Sequence, residues 1–154
     1  MPSVQRYRSG RIAEVKTFVR AGVAASVGDL VTLASAGHVD NFTSAALTPA
    51  VFRTTFLGVL AQGATRGTET TDSPCLVYTF CEAEMNLSVA APAALDPGGL
   101  VAASADQTVT TGAVLGAAGT GTAIGRIARP VAVGDTTVLV RIESAIFGGP
   151  QPIT

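Results

Sequence analysis

Tryptophan is absent from this chain of 154 residues, histidine occurs once, and aromatic residues make up only 5%. A carbohydrate-binding β-domain presents exposed aromatic platforms, and a chain with no Trp and two Tyr has little to build them from. Charged residues are 14% of the total, well below the roughly 25% of an ordinary soluble domain. A weakly charged surface suits a protein packed against copies of itself or against a larger partner. No stretch approaches the ~20 uninterrupted apolar residues that cross a bilayer as a helix, so no membrane association is expected. The opening MPSVQRYRSGR has basic residues with no apolar segment behind them, and no signal peptide is expected. The sequon matches at Asn41-Phe42-Thr43 and Asn86-Leu87-Ser88 therefore carry little weight.

Cysteine is also scarce. Cys75 and Cys81 lie six residues apart on an expected strand, about 20 Å from each other at ~3.3 Å per residue. Disulfide geometry needs Cα atoms within about 7 Å, so two small buried thiols are expected. The spacing is not C-x-x-C and the only histidine, His38, is distant in sequence. No metal site and no cofactor are expected.

The length fits one domain, large enough to bury a core without disulfide or metal. Its 47% hydrophobic content is mostly Ala, Val and Leu. Turn signals recur, and the segments between them are short and rich in Val, Thr, Ile and Leu. One turn pattern is used three times: Ser26-Val27-Gly28-Asp29 before LVTL, Asp96-Pro97-Gly98-Gly99 before LVAA, and Val133-Gly134-Asp135 before TTVLV. Gly accepts a positive φ and Asp bonds nearby backbone, so each reverses the chain into a new strand. The pattern points to a meandering barrel but has no fixed sequence period. Val15–Val19, Leu57–Ala61, Ala123–Ala128 and Thr137–Ile142 read as further strands. The run 75–89 alternates with period two: its odd positions are nearly all apolar, and its even positions change from Leu76, Tyr78 and Phe80 to Glu82, Glu84, Asn86 and Ser88. This predicts a long or bent antiparallel strand whose second face begins under cover and ends in solvent. Gly112–Gly125 fits a loose hairpin. Residues 44–53 predict a short helical turn with Pro49 limiting its length. The fold class expected is all-β, a small antiparallel barrel or sandwich. Its divisions are a basic arm with the first strand (1–20), a body (21–146) and an extended tail (147–154).

Charge is distributed unevenly. Residues 1–20 carry Arg6, Arg8, Arg11, Lys16 and Arg20 against Glu14 alone, and the remainder is net acidic. Such an arm suits a strap over an acidic protein surface or a solvated terminus. A nucleic-acid partner is not expected, because no basic patch continues into the body.

The candidate chemistries fall away in turn. His38 sits in SAGHVDN, a hairpin loop, near Asp40, but no serine lies in a Gly-x-Ser-x-Gly elbow. Glu82 and Glu84, about 7 Å apart along one strand face, would project side by side rather than face each other across a cleft; a solvated strand end is expected. Gly119-x-Gly121-x-x-x-Gly125 departs from the dinucleotide fingerprint and lacks its strand–turn–helix setting. No catalysis and no small-molecule substrate are expected.

In order, the chain carries GDLV at Gly28–Val31, a Gly/Thr-rich stretch at Thr110–Thr122, IGRIA at Ile124–Ala128, GD at Gly134-Asp135 and VLVRI at Val138–Ile142. This ordered set resembles the capsid cement (head decoration) proteins of tailed bacteriophages over most of residues 20–142. The resemblance implies a non-catalytic β-barrel or β-sandwich that binds the outside of an expanded capsid, often as a homotrimer, and clamps neighbouring capsomers. It implies the major capsid protein and further copies of the chain as partners, and the virion surface as its location, after synthesis in the bacterial cytoplasm. On that reading Arg6, Arg8, Arg11, Lys16 and Arg20 would contact the shell, and Tyr78 and Phe80 would anchor the subunit interface. A tail or baseplate β-domain of a phage, or a small carbohydrate-binding module, are the alternatives.

Overall fold

The computed structural model describes residues 13–45, 48–63, 73–111 and 122–147. Arg6, Arg8, Arg11, most of the Gly/Thr-rich stretch and the segment from residue 148 lie outside the described residues. Within them the chain is all-β, as expected. The strands are β1 (Ala13–Val19), β2 (Leu30–Leu33), β3 (Val39–Asn41), β4 (Phe56–Gln62), β5 (Ser73–Leu87), β6 (Leu100–Ala105), β7 (Thr108–Thr111), β8 (Ala123–Ile127) and β9 (Thr137–Glu143). Two short helices, α1 (Phe42–Ala45) and α2 (Pro49–Thr55), join β3 to β4. Pro49 opens α2 rather than limiting it: at the first helical turn its missing N–H costs nothing and its fixed φ is already helical.

The ladder closes on itself twice. Strands β1-β3-β2-β4-β5 form a five-stranded barrel, because β5 returns to β1. Strands β5-β7-β6-β8-β9 form a second ring, because β9 returns to β5. The fifteen-residue β5 is therefore shared. Its first half pairs with β1 and β4, its second half with β9 and β7. The long strand read from residues 75–89 is this shared wall, and its odd positions Cys75 to Met85 are buried throughout. Cys75 and Val77 lie in one core with Val19, Val31, Val39, Leu57 and Leu60. Cys81, Ala83 and Met85 lie in the other with Val101, Val109, Ile124, Val138, Val140 and Ile142. That second core extends to Leu30, Phe56 and Val59 of the first ring and to Phe52 of α2, where Phe52 stacks on Phe56 at 5.2 Å and meets Phe42 edge-on at 5.3 Å.

The rings share one topology, and most of their pairings correspond residue for residue. In each, the first and third strands meet in a short parallel pairing, Val19 with Val39 and Leu87 with Val109. Leu30 faces Val59 as Leu100 faces Arg126, and Val59 faces Tyr78 as Arg126 faces Arg141. Glu14 faces Tyr78 as Glu82 faces Arg141. Even the irregularity after Val31 recurs after Val101. The recurring turns occupy matching places too. Gly28 donates to the Leu60 carbonyl at 2.9 Å and the Leu60 N–H returns to Asp29 at 2.9 Å; Gly98 and Gly99 make the same exchange with Ile127 at 2.9 and 2.8 Å. Both glycines have positive φ, 104° and 91°, which a side chain resists. The turn before β9 repeats the device with Ala91, and Asp135 accepts from the Ala132 N–H at 2.9 Å as Asp29 accepts from Ser26 at 2.9 Å.

A partly buried polar cluster joins the rings, with Asp29 and Asn41 its buried members. The Asn41 side-chain amide donates to the Ala24 carbonyl at 2.8 Å and to Asp29 and Asp106 at 3.3 Å each. Gln107 donates to the other Asp29 oxygen at 2.8 Å. Asp106 and Gln107 form the β6–β7 turn of the second ring, while Asp29 and Asn41 belong to the first.

Candidate interaction surface

Of the arm's basic residues, the two within the described range, Lys16 and Arg20, lie on and just after the first strand of the barrel. Lys16 sits exposed on the outer face of β1, with Glu14 and Phe18 on either side. Arg20 follows the end of β1, and its Nε donates to Asp40 at 2.8 Å. This pair ties the end of β1 to β3, so Arg20 is already engaged within the chain. The arm expected to end at residue 20 thus includes a strand that is part of the barrel wall.

Tyr78 and Phe80 are neighbours on the outer face of β5 but stand in different surroundings. Tyr78 is half-buried and packs against the core that contains Val59 and Phe56. Phe80 is 37% exposed and lines a cleft of about 340 Å³ with Ala13, Val15, Glu14, Glu143 and Phe147. A second cleft, of about 430 Å³, lies farther along the same β1–β5 pair, between Lys16, Phe18, Gln62, Pro74 and Leu76. Phe18 is 49% exposed and Phe147 is 68% exposed. Sequence reading missed both: alternation puts Phe18 on the face of Lys16 in a recognised strand but does not tell what covers that face, and Phe147 follows the last strand in a 3-10 turn, Ala145–Phe147.

The groups weighed for chemistry are held apart. Glu82 accepts from Arg141 at 3.2 Å and Glu84 from the Thr137 hydroxyl at 3.1 Å. Both carboxylates are half-buried and each is engaged across the ladder with β9, which corrects the expectation of a solvated strand end. His38 lies after a 3-10 turn (Ser35–Gly37) in the β2–β3 connection, with its ring 6.3 Å from that of Phe18. Cys75 and Cys81 are free and buried. Burial pushes the Cys75 thiol up to about 11, opposed by a hydrogen bond with Thr17. Burial, aided by the charge of Glu82, pushes Cys81 up to about 12. Near neutral pH both are protonated and poor nucleophiles. Among the described residues no group of three or more His, Cys, Asp or Glu is placed to hold a metal, and no helix is long and apolar enough to cross a membrane.

The most distinctive surface is thus the outer β1–β5 wall, with apolar clefts at two places and Glu14 and Lys16 between them. No known protein family matches this chain, and no curated protein does.

Proposed function

We propose that this chain is a capsid decoration protein of a tailed bacteriophage, which binds the outer surface of an expanded shell and clamps neighbouring capsomers. The observation that carries the reading is the ordered set of GDLV, the Gly/Thr-rich stretch, IGRIA, GD and VLVRI along residues 28–142. The β-rich body, the weakly charged composition and the partly exposed Phe18, Phe80 and Phe147 support it, because a cement protein works through covered surface rather than through a reactive pocket. Several copies acting together would bind tightly even with a modest contact each, since each attached copy raises the local concentration of the next site.

Shell contact falls to the basic segment. Arg6, Arg8 and Arg11 precede β1 and carry this contact, whereas Lys16 stands on the outer face of the strand itself. Guanidinium groups suit bidentate pairing with carboxylates of an acidic shell surface. Arg20 is the weaker candidate because Asp40 already holds it. Phe80, rather than Tyr78, is the better interface anchor, because the ring of Tyr78 packs on the chain's own core.

Co-sedimentation with expanded, undecorated heads of the source virus tests this reading. Saturation at a fixed ratio to the major capsid protein is expected, with a marked loss for Arg6→Ala/Arg8→Ala/Arg11→Ala. Folded protein that fails to bind expanded heads would overturn the assignment and favour a tail component.

A further inference from the structure

The matching rings present the same outer wall twice, which makes the second a control for the first. On β1, the outward residues Glu14, Lys16 and Phe18 occupy the places that Glu82, Glu84 and Asn86 hold on β5 in the second ring. On the neighbouring strand, Pro74, Leu76 and Tyr78 occupy the places of Thr137, Leu139 and Arg141; Phe80, opposite an irregularity at Ala13–Glu14 that the second ring lacks, corresponds along its strand to Glu143. The second wall is polar at most of these places and is closed by the Arg141–Glu82 and Thr137–Glu84 contacts. The first keeps charge at Glu14 and Lys16 but is apolar or aromatic at Phe18, Pro74, Leu76, Tyr78 and Phe80. Since the same fold is built with Asn86 and Glu143, folding does not require phenylalanine at positions 18 and 80. Both nevertheless remain substantially in solvent, at 49% and 37% exposure. Exposed aromatic residues flanking clefts are a mark of association surfaces.

We propose that the outer face of the β1–β5 pair is where two copies of this chain meet, across a two-fold axis. The charge pattern supplies the reason to name a second copy. An acid and a base, Glu14 and Lys16, stand two residues apart on the same exposed face of one strand. Under a two-fold axis passing between them, Lys16 of one copy meets Glu14 of the other, and the reciprocal pair forms at once. Phe18 and Phe80, on either side of that centre, then fill the clefts beside Pro74 and Phe147. This pairing concerns the protein alone and stands or falls independently of shell binding.

Sedimentation velocity of the isolated protein over about 1–100 µM tests it, a range that reads dissociation constants in the micromolar regime. The wild type should reach the mass of two chains. Phe18→Asn/Phe80→Glu, which installs the second ring's residues, should weaken association by about 100-fold or more. Its urea midpoint should remain near that of the wild type. Glu14→Lys and Lys16→Glu should each weaken association, and the double exchange should restore it. A wild type that stays monomeric, one that sediments as three chains, or an association indifferent to the phenylalanine pair would overturn the proposal. So would failure of the double exchange to restore what the single ones lose.

Discussion

Alanine at Gly58 or Gly125 should be nearly equally damaging, because the two glycines hold matching places in the two rings. A Cβ built on Gly58 would lie 2.0 Å from the Tyr78 carbonyl oxygen, and one on Gly125 would lie 1.9 Å from that of Arg141. Carbon and oxygen approach comfortably only to about 3.3 Å, so the strands must part by more than ~1 Å. Backbone, not a flexible side chain, stands in the way. Losing two ladder hydrogen bonds at about 1 kcal/mol each, together with about 1–3 kcal/mol of overpacking strain, gives roughly 3–5 kcal/mol per substitution. That is a large part of the ~5–15 kcal/mol available to a domain. Urea unfolding followed by circular dichroism should show midpoints lowered by about 1.5–2.5 M for a slope near 2 kcal/mol/M. Gly99→Ala serves as the comparison: the tightest contact of its Cβ would be the Ile127 Cδ1 at 3.3 Å, the end of a flexible side chain, with the Asp96 carbonyl oxygen at an ordinary 3.5 Å, and it should cost under ~1 kcal/mol. A loss below ~1 kcal/mol at either position, or a difference above ~2 kcal/mol between them, would refute the matching of the rings.

The polar cluster between the rings and the two thiols give two further expectations. Asn41→Ala removes the shared donor of two carboxylates and should cost about 2–3 kcal/mol. Its effect should couple with that of Gln107→Ala through Asp29, so additivity within about 0.3 kcal/mol in a double-mutant cycle would count against a connected network. The folded protein holds the protons of Cys75 and Cys81 more tightly than the unfolded chain, with thiol values of about 11 and 12 against 9.0. Their contribution is therefore complete below about pH 9 and declines as the pH rises through 9 towards 11 and 12. The melting temperature should fall over that window and fall less in Cys81→Ala; an identical pH profile for this variant would refute the assignment.

Residue pattern alone located most of the strands. The period-two run from Cys75 made β5 visible because one face of a half-buried strand must be apolar. The three Gly-containing turns marked where β2, β6 and β9 begin because a positive φ is hard to obtain otherwise. The doubled topology was not legible. Matched positions drift from 70 residues apart at Leu30 and Leu100 to 63 at Tyr78 and Arg141, so no fixed period survives in the sequence. The side chains also diverge wherever the ring environment differs: Val59 and Tyr78 pack on a core, while Arg126 and Arg141 stand on the outer face of theirs. What persists is backbone geometry, which glycine reports at only a few places.

The candidate surface divides in the same way. The sequence by itself determined an all-β chain with little charge, a basic beginning and no strong catalytic motif, because composition and alternation act locally. It also placed Tyr78 and Phe80 on one strand face. Only the tertiary structure separated them, turning Tyr78 against the core beside Val59 and leaving Phe80 at a cleft with Phe147. Only it brought Phe18 to the same wall and engaged Arg20 with Asp40. Strand alternation fixes which residues share a face; which strand, helix or loop then covers that face depends on pairings between residues far apart in the chain, and no local pattern encodes them.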